Sequence, residues 1–323
     1  MMVMIVTSMY LLYKKPNETC LECVTRLKNN LISKGENVES LTYAGRLDPL
    51  ASGLLIALKD QEIAHKPEIL NLPKTYDMEV LFDFATDSFD LLGILHPSES
   101  FLTWKTLISD QDKINLFSKK DEENLRHEIL ELKKLLINSE SKKYEENQKN
   151  KIDAQIDYIN SIIEKMTGDV EIAYPFFSSQ PVEGKPLFQY MKKNGARKTN
   201  LVLPTKKTNL QKAVLVSARM INTEDVVYCA EEVVLAMQNK GEFRQEEIST
   251  AWNEVKLNFM KNVKNNLPSK HLVLRFRISC GSGFYVRSFA TWLGQIVKNG
   301  ALAFSILRTS IGLYFLTDDE VIY

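Results

Sequence analysis

The sequence predicts an α+β protein, and three observations carry that expectation. Apolar runs of strand length lie at residues 3–13, 54–58, 75–82 and 272–280, spread from one end of the chain to the other. Apolar residues at helical spacing fill stretches between them. The composition, 44% hydrophobic and 25% charged over 323 residues, is that of a globular protein with enough chain to bury a sizeable core.

Residues 3–13 read as a strand, broken by Thr7 and Ser8 and short of the roughly 20 apolar residues a membrane span needs. The stretch has neither a basic start nor a small-residue cleavage site, so no signal peptide is expected and a cytoplasmic location is. A turn at Lys15-Pro16-Asn17 leads into a helix over 19–33 with Thr19 as its N-cap. Cys20 and Cys23 fall one turn apart on it, beside Leu21, Val24, Leu27 and Leu31. Without a second C-x-x-C or paired histidines they read as core or flank residues, not zinc ligands. A loop at 41–49 separates this helix from the apolar run 54–58, and the strand 75–82 follows.

Between Pro97 and Gly168 there is no glycine or proline. Leu125, Ile129, Leu132 and Leu136, then Ile152, Ile156, Ile159, Ile163 and Met166, predict two amphipathic helices joined through the polar residues 138–149. Their charges are of both signs, as on solvated helix faces. Residues 174–204 are loop-rich and carry the cluster Lys192, Lys193, Arg197 and Lys198, and 224–266 is helical and charged. The strand 272–280 passes a tight turn at Gly281-Ser282-Gly283 into a helix over 285–297.

Three short segments hold the chemistry. In the first, Gly45 and Gly53 permit tight turns on either side of Asp48, and Pro49 biases that aspartate toward an extended backbone. In the second, Tyr76 stands at the start of a strand, where its ring either stacks on a base or packs on its sheet neighbours. In the third, the Gly-Ser-Gly turn presents Tyr285 and Arg287 as a helix begins, and a guanidinium there suits a carboxylate or phosphate. Lysine plus arginine (41) equals aspartate plus glutamate (41), so an anionic partner must be held by local clusters.

The order and spacing of these segments resemble the bacterial-type tRNA pseudouridine-55 synthase family (the TruB family), which isomerises a uridine in the T-arm loop. Its H-x-G-x-L-D-P-x-A-x-G signature is matched from Tyr43 to Gly53 at every fixed position except the first. Lys74 and Tyr76 match its K-x-Y motif, and Thr86 to Gly93 its T-D-T-x-D-x-x-G with Ser88 for the second threonine. Cys280 to Arg287 resembles C-S-x-G-T-Y-I-R, and Leu307, Arg308, Thr309 and Gly312 resemble L-R-R-T-x-x-G. The resemblance covers about 3–97, 150–204 and 271–315. Tyr43 departs from the family's histidine and Asp83 from its usual glycine, and the P-P-x-x-S-A-x-K-x-x-G motif is degraded at 174–184 with loss of its lysine.

The resemblance implies a pseudouridine synthase fold: one catalytic domain over 1–323, built on a mixed, mostly antiparallel sheet with flanking helices. Helical insertions are expected at about 98–150 and 222–266, and the C-terminal PUA-type domain of many members is expected to be absent. The implied activity is that of an isomerase acting on the T-arm of tRNA. Asp48 would be nucleophile at the sugar carbon or base at the adjacent one, Tyr76 would stack on the flipped base, Tyr285 would serve as hydroxyl donor or general base, and Arg287 would pair with Asp48. Tyr43, Arg46 and Lys74 read as RNA contacts, as do Lys192, Lys193, Arg197 and Lys198. No redox step or hydrolysis is involved, so neither cofactor nor metal is expected; nor is a membrane, and a monomer is. The alternative is a non-catalytic RNA-binding protein or RNA chaperone on the same scaffold, for which Asp48 would be unnecessary.

Overall fold

The computed structural model describes residues 9–95, 118–140, 146–178, 180–182, 184–194, 204–241, 243–260 and 269–316. The chain divides into two compact units, one of residues 1–77, 279–282 and 305–323, the other of 78–278 and 283–304.

The first unit opens with β1 (Met9–Lys14) and α1 (Cys20–Ser33). The helix starts where the sequence placed it: Thr19 Oγ1 accepts from Glu22 N at 3.1 Å, and the Glu22 carboxylate accepts from Thr19 N at 2.7 Å. Residues 41–49, expected as a loop, begin instead with a short strand, β2 (Leu41–Ala44), which pairs antiparallel with β3 (Ser52–Lys59). Ladder pairing decides this, because four residues are too few to show a period of their own. β3 also pairs antiparallel with β1, and at Ser52 and Gly53 it runs parallel to β10 (Ala301–Ile311). α2 (Lys66–Asn71), the start of β4 (Lys74–Phe82), the end of β9 (Lys270–Cys280) and β11 (Tyr314–Phe315) complete this unit, in the strand order β1-β3-β10-β4-β9. Its core gathers Ala44, Leu54, Ile56, Leu58, Ile69 and Ile311.

In the second unit the strand order is β10-β4-β9-β8-β5, with β8 (Thr205–Asn222) antiparallel to β5 (Gly168–Ala173). The two periodic stretches form α3 (Lys119–Glu140) and α4 (Glu146–Ile163). Gln155 ties them by donating to the Glu128 carbonyl at 3.1 Å, and Asn160 ties α4 to β8, donating to Leu215 O at 2.9 Å and accepting from Leu215 N at 2.7 Å. A hairpin of β6 (Pro181–Val182) and β7 (Lys185–Pro186) precedes α5 (Leu187–Asn194). The charged stretch 224–266 yields two helices, α6 (Thr223–Ala236) and α7 (Gln245–Met260). α8 (Val286–Val297) follows the Gly-Ser-Gly turn, with Tyr285 as its N-cap residue. A buried polar network joins these parts. Asp83 accepts from Lys133 at 2.9 Å and faces His271 Nδ1 at 2.9 Å, while His271 Nε2 meets Thr223 Oγ1 at 2.9 Å. The fold is α+β: a mixed, mostly antiparallel sheet with flanking helices. Among the described residues no helix is long and apolar enough to cross a membrane.

Candidate active site

Asp48 lies in the loop between β2 and β3, half-buried, and two buried cations grip the backbone on either side of it. The first is Arg308, on β10. β3 pairs with β10 at Ser52 and Gly53 and with β2 from Ile56 onward, and in the interval Arg308 Nε donates to Leu54 O at 2.7 Å. The remaining nitrogens of that guanidinium reach Gly45 O at 3.1 Å and Arg46 O at 3.5 Å. The second cation is Lys14, whose ammonium donates to Pro49 O and Lys15 O, each at 3.1 Å, and to Ala51 O. Leu47 is bracketed by Cys20 Sγ, which accepts from its N–H at 3.2 Å and donates to its carbonyl at 3.3 Å. Between them the two cations reach the loop carbonyls of Gly45, Arg46, Pro49 and Ala51, with those of Lys15 and Leu54 beside the loop, and the aspartate sits on a fixed backbone.

Burial pulls the Lys14 ammonium down to about 8, against the raising fields of Cys20, Glu18, Asp48 and Cys23. Tyr76, on β4, is buried. Desolvation pushes its hydroxyl up to about 12, with Arg308 pulling it down and the charges of Cys280 and Asp48 adding to the rise. Asp48, Tyr76, Lys14 and Arg308 therefore share one electrostatic neighbourhood in the first unit.

The flanking residues differ among themselves. Arg46 is exposed and donates to Tyr43 Oη at 3.5 Å, while Lys66 Nζ lies 5.7 Å from the centre of the Tyr43 ring. Lys74 is buried, and its ammonium donates to Leu70 O and Leu72 O, both at 2.6 Å, which caps the end of α2.

In the second unit, Arg287 is 3% exposed. Its Nη1 donates to Ser88 O at 2.6 Å and lies 3.6 Å from Asp90 Oδ2, and its Nη2 donates to Phe177 O at 3.3 Å. Asp90 is itself held by Ser88 Oγ at 2.5 Å and Leu92 N at 3.0 Å. Gly93 closes this loop tightly, since a Cβ there would stand 2.4 Å from Ser88 Oγ and 2.6 Å from Thr86 Cβ. Tyr285 packs edge-on against Tyr174, ring centres 5.2 Å apart, beside a cluster of Phe89, Tyr174, Phe176, Leu187 and Met191.

Of the basic cluster, Lys192 and Lys193 fall on the last turn of α5, while Arg197 and Lys198 lie outside the described residues. Among the described residues no group of three or more His, Cys, Asp or Glu side chains is placed to hold a metal ion. Motif reading missed Lys14 and Cys20 as supports of the aspartate loop. The signal available was a lysine inside an otherwise apolar strand.

Fold and loop together define an α+β protein that presents a carboxylate on a backbone braced by buried cations. Residues 34–115, which include Asp48, Tyr76 and the loop 86–93, match the TruB family pseudouridylate synthase N terminal domain. The tRNA pseudouridine synthase B of Mycoplasma mycoides subsp. mycoides SC is 22% identical over 219 residues, 68% of this chain and 55% of that protein. Its counterpart from Aquifex aeolicus is 36% identical over 84 residues, 26% of this chain and 28% of that protein. The chain thus spans about half the length of the first relative and less of the second. Among solved structures, a Cbf5-Nop10-Gar1 complex aligns with a TM-score of 0.44 and 12% identity, covering 97% of this chain and 51% of that one.

Proposed function

We propose that this protein is a tRNA pseudouridine synthase that isomerises a uridine of the T-arm loop, position 55, to pseudouridine. The observation that carries the reading is the Asp48 loop, pinned by Lys14 and Arg308 in the electrostatic neighbourhood of the Tyr76 ring. An RNA-binding surface has no use for a carboxylate held rigidly among buried cations, because a carboxylate repels phosphate.

The target nucleotide must leave its stack, which costs about a few kcal/mol. Tyr76, neutral at physiological pH because its hydroxyl titrates near 12, offers the extruded base a ring worth roughly 1–3 kcal/mol of stacking. Ionised Asp48 then acts as nucleophile at the sugar carbon or as base at the adjacent one. The N1–C1′ bond breaks, the uracil turns, and C5 bonds to C1′ as Asp48 leaves that carbon or returns the proton it took from C2′; C5 then releases its proton and N1 ends protonated. Rigid placement serves this step by removing the search for a productive geometry. The family resemblance assigns Tyr285 as hydroxyl donor or general base and gives Arg287 an ion-pairing role.

Asp48→Asn tests the assignment, since the amide keeps the shape but is neither nucleophile nor base. A T-arm transcript labelled with tritium at C5 of uridine should lose its label to wild-type protein and keep it with the variant, while affinity for the RNA stays within about threefold. Wild-type protein that binds the transcript but releases no tritium would be a non-catalytic RNA-binding protein on this scaffold. Release undiminished in the variant would overturn the role of Asp48.

A further inference from the structure

Asp87, in the loop 86–93, is gripped by a residue from the inserted stretch 222–266. Arg244, between α6 and α7, donates through Nη1 to Asp87 Oδ2 at 2.6 Å and through Nη2 to Asp87 Oδ1 at 2.9 Å. The side chains of the pair are only 16% and 6% exposed. The Arg244 guanidinium also lies over the Phe177 ring, 3.8 Å from its centre, and its backbone takes a left-handed φ of 58°. A non-glycine residue holds that conformation only where its surroundings fix it.

Of the residues touched by Arg244, Phe177 also holds Arg287, and Asp87 is the chain neighbour of another that does. Ser88, next in the chain after Asp87, gives Arg287 Nη1 its carbonyl at 2.6 Å, and Phe177 gives Nη2 its carbonyl at 3.3 Å. Asp87 Oδ1 further accepts from Ile94 N at 2.9 Å, which closes the loop. One forked cation therefore braces the two segments that carry the backbone acceptors of another.

We propose that Arg244 is a positioning residue: it locks the loop 86–93 and Phe177, and through them sets the guanidinium of Arg287. The catalytic consequence rests on the function proposed above. The inserted helices α6 and α7 are then the arm that delivers this clamp.

Two readouts on the full-length protein test it. Hydrogen exchange of amides 86–94 reports the loop directly, without any need for activity. In Arg244→Gln it should quicken about tenfold there and stay unchanged in β5 and β8. Arg244→Lys should fall between, because an ammonium cannot make the fork. Asp87→Asn should act like Arg244→Gln, and the double variant should be no faster than either single one, as one shared interaction requires. Single-turnover tritium release should drop about tenfold in Arg244→Gln while T-arm affinity holds within about threefold, a split that general loss of structure does not give. Unchanged exchange at 86–94 would overturn the proposal. So would faster exchange throughout the protein, or a loosened loop with an undiminished rate. Wild-type protein that releases no tritium would refute the functional reading alone, and exchange at 86–94 would still decide what Arg244 holds.

Discussion

Lys14 carries an ammonium where no solvent reaches it, against two carbonyls of the aspartate loop and that of Lys15. Desolvation lowers its titration from 10.5 to about 8 in the folded protein. The unfolded chain therefore binds one more proton than the native one between about pH 8 and 10.5, and the contribution of Lys14 to stability rises with pH across that window. Below it both states are charged and the burial cost is constant. In Lys14→Met this dependence disappears. The stability of wild type minus variant should thus widen by on the order of 3 kcal/mol from pH 8 to 10.5, as read by urea denaturation at several pH values. A flat difference would mean that the ammonium is not buried as a cation. Cys20, which the spacing of its C-x-x-C left as a core residue, is buried as expected but also brackets Leu47, a contact no local pattern announces.

At the scale of elements, the join of β3 and β10 decides where the aspartate loop ends. Gly53 has a φ of 107°, and a Cβ there would stand 2.3 Å from Arg308 O and 2.7 Å from Arg308 N. Both neighbours are backbone, so neither moves without parting the strands. Gly53→Ala should destabilise by about 3 kcal/mol or more, from overpacking plus left-handed strain. Gly35→Ala is the control: its φ is 81° but nothing lies within 4 Å, so only strain, about 1 kcal/mol, should appear. Equal losses in the two variants would show that the β3–β10 approach carries no penalty of its own. The glycine was legible as a fixed position of a motif, but the reason for it was not, since Arg308 is 255 residues distant in sequence. The same division holds for whole elements. Thr19 as the N-cap of α1, the helices α3 and α4, and the step from β9 into α8 follow from local spacing and were read correctly. β8 was not, because its buried residues Leu210, Ala213, Leu215 and Ile221 keep neither period, and pairing with β5 fixes its strand form over 205–210.

For the molecule as a whole, the proposed function requires a chain with no net charge to hold a polyanion. Equal numbers of basic and acidic residues, 41 each, give no general attraction, so affinity must come from local clusters. Of the cluster at 192–198, only Lys192 and Lys193 lie among the described residues as basic members. α5 buries Leu187 and Met191 in the aromatic cluster on which Tyr285 packs, and Lys192 and Lys193 follow on its last turn. If Lys192, Lys193, Arg197 and Lys198 each neutralise a phosphate, each releases counterions and adds about 0.7–0.9 to the slope of log affinity against log salt. Replacing all four with serine should flatten that slope by about two to three units and weaken T-arm binding across the salt range. The single-turnover rate at saturating RNA should hold, because none of the four is needed to move a proton or break the glycosidic bond. A filter-binding series over salt concentration reads the slope, and tritium release at saturation reads the rate. An unchanged slope would shift the phosphate contacts to other cations, with the exposed Lys207 and Lys212 on β8 the next pair to replace. A slope that falls together with the saturating rate would instead tie this cluster to the chemistry, and separate roles for binding and catalysis would no longer stand.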